Sequence, residues 1–347
     1  MNKKYKIGFM IVLTILFFLT AFLTGFIAAS LKELPLVILY FCVYLISLNV
    51  FYIIHELGHA FFGKVTGYRT LVIGIGSFQW FKKGGEWHFI KKPSIFSGAA
   101  QYAGIAKDRQ SHSLWMLRGG LITHICFCIL FFGLAYVRQS LLYVPFAMMH
   151  VFLFLMNSFP MGITDGARIQ ELKKHPERFD LFYENNRLYE AELNSEKLTN
   201  FELVLPELEK GILVEAAYIQ YYTQAFYKKE FDEVKTALEY YGSFTENDIL
   251  RAMSNAILLE TYIITGDIEK ATNLYKDKTL MKYLAQKPLL HAMYVLYIQK
   301  DFKKGKKYVQ QAKKLLSPNM EFSDVFEHDK QNLENLEQLL TLDVSWK

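Results

Sequence analysis

The stretch "NVFYIIHELGHAFFGKV" (Asn49 to Val65) places His55, Glu56 and His59 in a run otherwise made of hydrocarbon-like side chains. A charged group near the centre of a membrane-crossing helix costs roughly 2.5 to 3.5 kcal/mol, so three ionisable residues within five positions need a use. On a helix, positions i and i+4 lie nearly above one another. His55 and His59 therefore present two imidazoles on one face, a donor set suited to Zn²⁺. Glu56 projects about 100° around from His55, off the metal face but within reach of a water held there, which is the placement of a general base. The bland alternative is a pair of histidines that bond neighbouring helices, and it leaves three ionisable groups without a common partner in lipid.

A zinc site that does chemistry takes a third protein ligand and keeps a fourth position open. The segment "LMNSFPMGITDGARIQ" offers Asp165. Pro160 cannot continue a regular helical ladder, and Gly162 and Gly166 relax the backbone, so an unwound turn can aim a carboxylate inward. Asp165 has a second reading, as the cap of a helix beginning at Gly166.

The elements that must position these residues are apolar. Four runs, at 7–30, 36–62, 114–136 and 140–162, are long enough to cross a hydrocarbon core. With the N-terminus cytoplasmic, Lys3, Lys4, Lys6, Lys64, Arg69, Lys82, Lys83, Lys91, Lys92, Lys107, Arg109 and Arg118 fall on the cytoplasmic side or its boundary, against Lys32 and Arg138 outside. The second and fourth spans then both run outside to inside, which brings Asp165 to the side of His59. The N-terminal apolar run is longer than a signal peptide requires, so a retained helix is expected. Residues 1–166 hold 14 Lys/Arg against 5 Asp/Glu, a net +9, whereas 167–347 hold 25 against 29, a net −4. A membrane domain (1–166) is expected to precede linker helices (167–207) and a helical domain (208–347). Cys42, Cys126 and Cys128 lack the spacing of a disulfide framework and read as small packing residues.

Two motifs together carry a family resemblance. "HELGH", His55 to His59, and "NSFPMGITDG", Asn157 to Gly166, stand about 100 residues apart in the order H-E-x-x-H then N-x-x-P-x-x-x-x-D-G. The chain resembles the site-2 proteases, intramembrane zinc metalloproteases, over residues 36–168. The resemblance implies one Zn²⁺ held by His55, His59 and Asp165, catalysis by Glu56 as general base, and Asn157 positioning the scissile peptide or its oxyanion. Where many relatives carry G-P-x-x-N, this chain has Gly120 for Pro and Thr123 for Asn, beside His124. His124 reads either as a partner of a neighbouring helix or as a contact for substrate or the catalytic water.

Residues 68–105 hold apolar, aromatic-rich pieces either side of "KKGG", a hairpin signal. Similar proteins carry a membrane-associated β-hairpin here, near the substrate. An extended substrate would add a strand to such an edge; alternatively Trp80, Trp87 and the lysines simply hold it at the interface. Gly74-Ile75-Gly76 lacks the third glycine of a nucleotide fingerprint.

In the C-terminal half, "YKKEFDEVKTAL", "ITGDIEKATNLY" and "IQKDFKKGKKYV" align Phe231, Ile268 and Phe302, 37 and 34 residues apart. That spacing is close to the 34-residue tetratricopeptide (TPR) period. The expected fold is thus a polytopic α-helical membrane protein with a small membrane-associated β-hairpin, followed by an all-α TPR-like helical-repeat domain. The expected activity is zinc endopeptidase cleavage of transmembrane or signal-peptide-derived segments near the cytoplasmic face. Partners would be a membrane protein or peptide substrate, the lipid bilayer and a protein on the TPR-like domain, with no nucleic acid, since that half is net acidic. The chain would be multi-pass, with its N-terminus and C-terminal domain cytoplasmic, in the plasma membrane if the source is bacterial. The rival reading is a catalytically silent membrane adaptor working through its TPR-like domain; a metal-dependent transporter or sensor is disfavoured by the lack of an ion path.

Overall fold

The computed structural model describes residues 3–31, 34–75, 78–91, 100–106, 113–160, 164–285, 287–316 and 321–344. Lys32, Lys92, Lys107, Arg109 and Gly162, used in the sequence reading, lie outside these residues. The chain divides into two compact units, one made of 1–81, 88–92 and 96–179, the other of 82–87, 93–95 and 180–347.

The first unit contains α1 (Lys3–Ser30), α2 (Leu34–Val65), α3 (Ser113–Val137) and α4 (Val144–Ser158, entered through a 3₁₀ turn at Leu141–Tyr143). Four helices, Ile7–Ser30, Leu34–Val65, Leu114–Val137 and Leu141–Ser158, are long and apolar enough to cross a membrane. A helix satisfies its own backbone polar groups, as a lipid solvent demands. Phe22, Ile15, Ile46 and Ile129 stand exposed, an inside-out pattern that suits hydrocarbon surroundings. Cys42 and Cys126 are also exposed and Cys128 is half-buried, so two of the three cysteines are not the packing residues expected. The second span runs past its expected end at 62 to Val65, whereas the fourth stops at Ser158 rather than 162. The cause of that early stop is Pro160, whose ring forces the preceding Phe159 into extended backbone (φ −75°, ψ 130°).

The expected hairpin is part of a larger element. β1 (Tyr68–Ile75), β2 (Phe78–Lys83), β3 (Glu86–Lys91) and β4 (Ala100–Ala106) form one sheet in the order β3-β2-β1-β4. Gly84 and Gly85, both at positive φ (59° and 90°), make the tight turn from β2 to β3 that "KKGG" announced. β1 pairs antiparallel with β2 (Ile73↔Trp80) and with β4 (Ile73↔Tyr102), with an irregularity between Thr70 and Val72. The pairing with β4 went unread because "AQYAGIA" is small and weakly alternating. It leaves β4 as a sheet edge, packed beside the C-terminal part of α2. α5 (Asp165–Lys174) completes this unit, its buried Glu171 accepting from Arg178 at 3.0 Å.

In the second unit, α6 (Phe179–Leu193) precedes α7 (Ile212–Tyr227), α8 (Phe231–Phe244), α9 (Asp248–Thr265), α10 (Ile268–Leu274), α11 (Lys278–Leu284) and α12 (Pro288–Met293, continuing as a π turn to Ile298). α13 (Phe302–Leu315) and α14 (Ser323–Val344) follow. Phe231, Ile268 and Phe302 are each the first residue of a helix, and Val234, Ala271 and Gly305, three positions on, are all buried. A Cβ at Gly305 would overlap the Leu296 side chain, so any larger residue there would have to displace Leu296. Within this unit Glu215 is buried and accepts from Tyr241 and Thr245.

Candidate metal centre

The site begins with a helix crossing made possible by absent side chains. A Cβ on Gly58 would lie 2.6 Å from the Gly119 carbonyl oxygen, and one on Gly119 would lie 3.0 Å from the His59 Cα, so α2 and α3 touch backbone to backbone. One residue on, a Cβ on Gly120 would lie 2.5 Å from Nδ1 and 2.6 Å from Nε2 of His55. The His55 imidazole therefore rests flat on the α3 backbone. This gives a physical role to the glycine standing where the family pattern has proline. Thr123, standing where that pattern has asparagine, turns its hydroxyl back to donate to Gly119 O at 2.8 Å.

Asp165 is positioned by the break after α4. Extended Phe159 carries the chain out of the helix, and Thr164 starts the next one, its Oγ1 accepting from Ala167 N–H while donating to Phe159 O. Thr164 is thus the helix cap, which corrects the alternative reading of Asp165 and leaves its carboxylate free to face α2. A Cβ on Gly166 would collide with Ser158 O, so this fold-back also needs glycine.

The structure brings His55, His59 and Asp165 together, all buried. Asp165 Oδ2 lies 3.0 Å from His55 Nε2 and 3.1 Å from His59 Nε2, and the two Nε2 atoms are 3.1 Å apart. The His59 tautomer follows from its other nitrogen: Nδ1 lies 2.8 Å from Met116 O, a pure acceptor, so Nδ1 carries the proton and Nε2 keeps its lone pair for the cluster. Three potential ligand atoms thus converge on one point from three side chains. Ligands at about 2.0 to 2.1 Å on a tetrahedron stand about 3.3 Å apart, close to the observed triangle, so the donor set and its size fit Zn²⁺.

Glu56 is buried beside this cluster and within electrostatic reach of His59, His55, Asp165 and Arg168. Asn157 is not drawn in: its Nδ2 donates to Leu153 O of its own helix at 3.1 Å. His124 bonds a neighbouring helix, its Nδ1 lying 2.9 Å from His150 Nδ1 on α4. Sequence reasoning missed Tyr102, whose ring stacks on His59 (centroids 5.8 Å apart), and Arg168, one turn beyond Asp165. Only the i, i+3 spacing from Asp165 pointed to Arg168; nothing local pointed to Tyr102. In the second unit Glu260, His328 and Asp329 also cluster, and there His328 and Asn332 already reach Glu260 Oε1 at 2.8 and 3.3 Å.

No family model matches the chain, and neither the curated proteins nor the solved structures contain a significant match to it.

Proposed function

We propose that the chain is an intramembrane zinc endopeptidase of the site-2 protease type, hydrolysing a peptide bond in a transmembrane or signal-peptide-derived segment near the cytoplasmic membrane face. The observation that carries this reading is the convergence of His55, His59 and Asp165, from positions over 100 residues apart, within 3.0 to 3.1 Å of one another, with Glu56 alongside. These three side chains would hold the zinc, which when bound supplies a Lewis acid that polarises the scissile carbonyl and acidifies the attacking water. Glu56 takes the proton of that water and returns it to the leaving amine, a role its carboxylate can fill only from beside the ligand set. Burial of the cluster keeps bulk water away and strengthens each electrostatic contact. Asn157 enters this scheme only through a rotation away from Leu153 O.

The twelve-to-two Lys/Arg asymmetry supports a cytoplasmic N-terminus and C-terminal domain. The three helix starts in equivalent register, each with a small or β-branched buried residue three positions on, support a TPR-like array that recruits substrate or a regulator. The test of the catalytic reading is Glu56→Gln in purified full-length protein. Zinc content is expected to stay at one per chain while cleavage of a transmembrane peptide falls by at least roughly 10² to 10⁴. Unchanged turnover would overturn the reading.

A further inference from the structure

The second unit carries an open groove that the metal chemistry does not use. It runs between α8 and α10 with α9 as its floor, and Leu238, Leu258 and Leu274 supply apolar wall. The charged groups along it are already engaged. Glu239 accepts from the Tyr262 hydroxyl at 2.6 Å and from Lys270 Nζ at 2.7 Å. Asp277 accepts from the Thr279 and Leu280 N–H groups at 2.7 and 2.8 Å. Arg251 donates to Asp248 at 3.3 Å and to the Thr245 carbonyl.

Asn255, one turn along α9 from Arg251, differs from all of these. It is 7% exposed and lines the groove, yet its side-chain amide makes no hydrogen bond among the described residues. A polar side chain so deeply placed ordinarily has a partner in its own fold. Facing it on α8 is Gly242, where an added Cβ would meet Asn255 Oδ1 at 3.6 Å and nothing nearer. Glycine inside a helix is disfavoured relative to alanine. Here it leaves the amide uncovered, because a longer side chain at 242 would start from van der Waals contact with it.

A primary amide offers an acceptor and two donors in one plane, the complement of the N–H and C=O of a peptide main chain. With the charges along the groove paired among themselves, nothing there selects a charged ligand. An open groove also suits a chain laid along it better than a small molecule, whose site encloses most of the ligand surface. From Arg251 to Tyr262, α9 rises about 16 Å at roughly 1.5 Å per residue, the span of about five residues of extended chain. Alternate side chains of such a segment would point at the leucine walls.

We propose that this groove binds an extended, uncharged peptide segment, with the Asn255 amide donating to and accepting from one peptide group of its main chain. This rests on the recruitment reading above and stands apart from the zinc centre.

The test uses full-length protein in detergent to select from a phage-displayed library of random octapeptides. The enriched sequence is then synthesised with a fluorophore and titrated by anisotropy. Asn255→Ala is expected to weaken binding roughly 10- to 100-fold, the loss of two hydrogen bonds. Gly242→Leu keeps Asn255, raises helix propensity and fills the space before the amide. It is expected to weaken binding at least as much, and it serves as the reading if Asn255→Ala does not fold. N-methylation of one peptide bond in the probe is expected to reproduce the Asn255→Ala loss in wild type and to add little in that variant. Wild-type affinity in either folded variant, or a probe indifferent to N-methylation at every position, would overturn the groove while leaving recruitment elsewhere on this unit. A library that enriches no sequence over a protein-free control would overturn both.

Discussion

Replacing Gly120 by alanine tests how the site is built, because the three atoms nearest to the added methyl group all belong to the His55 ring. The added Cβ would sit 2.5 Å from Nδ1 and 2.6 Å from Nε2, where ordinary contact begins at 3.4 Å. The ring must retreat by about 1 Å, and the His124 ring at 4.9 Å limits the direction. A misplacement of about 1 Å in a catalytic constellation costs roughly 10² in rate. The effect on folding is smaller. Alanine gains roughly 1 kcal/mol of helix propensity over glycine, against an overpacking cost of about 1 to 3 kcal/mol. Gly133 supplies the control, since it lies in the same helix with nothing within 4 Å of its Cβ position. Gly133→Ala is expected to keep full zinc content and activity. Gly120→Ala is expected to remain folded by circular dichroism in detergent, with weakened zinc binding and cleavage down about 100-fold. Wild-type zinc affinity and turnover in Gly120→Ala would refute the geometry.

Asp165→Ala, His55→Ala and His59→Ala are each expected to lower zinc below one per chain by metal analysis; full occupancy in Asp165→Ala would send the search to another ligand. A cysteine introduced after residue 210 is expected to resist membrane-impermeant label added outside sealed cells, and ready labelling there would invert the topology. In the second unit, burial and then the Glu260 charge push the Asp329 carboxyl up to about 7. An unfolded aspartate titrates near 3.9, so the folded chain binds the extra proton between those values, and stability is lost as pH rises through that window. Asp329→Asn removes this loss. Thermal melts are expected to show the variant more stable than wild type by roughly 1 to 3 kcal/mol at pH 8 and not at pH 4. An identical pH dependence in the two proteins would show that Asp329 does not carry the proton.

The membrane-length helices, the i to i+4 pair His55 and His59 and the direction of the Lys/Arg bias were all legible in the chain, because each depends on local chemistry. Apolar length, i to i+4 spacing and loop charge need no knowledge of the fold. The pairing of His55 with Asp165 was approachable because two spans running the same way end on the same side. Less was legible where a residue's role depends on a distant neighbour. Thr164 rather than Asp165 caps α5, since only the fold-back onto Phe159 shows which side chain the helix uses and which it leaves. Asn157 carries the motif but turns its amide to Leu153 O, a rotamer that sequence does not specify.

The sequence by itself determined that this chain carries four membrane-length apolar helices, a cluster of ionisable groups in one of them, and a repeated pattern that aligns Phe231, Ile268 and Phe302. Tertiary structure alone decided the rest. Gly58 and Gly119 matter because two helices cross backbone to backbone, and Gly120 matters because a ring lies on it. β4 joins the sheet through pairing with β1, although its own pattern is weak. His124 meets His150 because α3 and α4 pack side by side, so that two residues 26 positions apart share one hydrogen bond. The physical reason is common to all of these. Helix formation and lipid partition are set by short-range propensity and composition, whereas steric fit and ring-to-ring contact depend on distances between elements that sequence spacing does not encode.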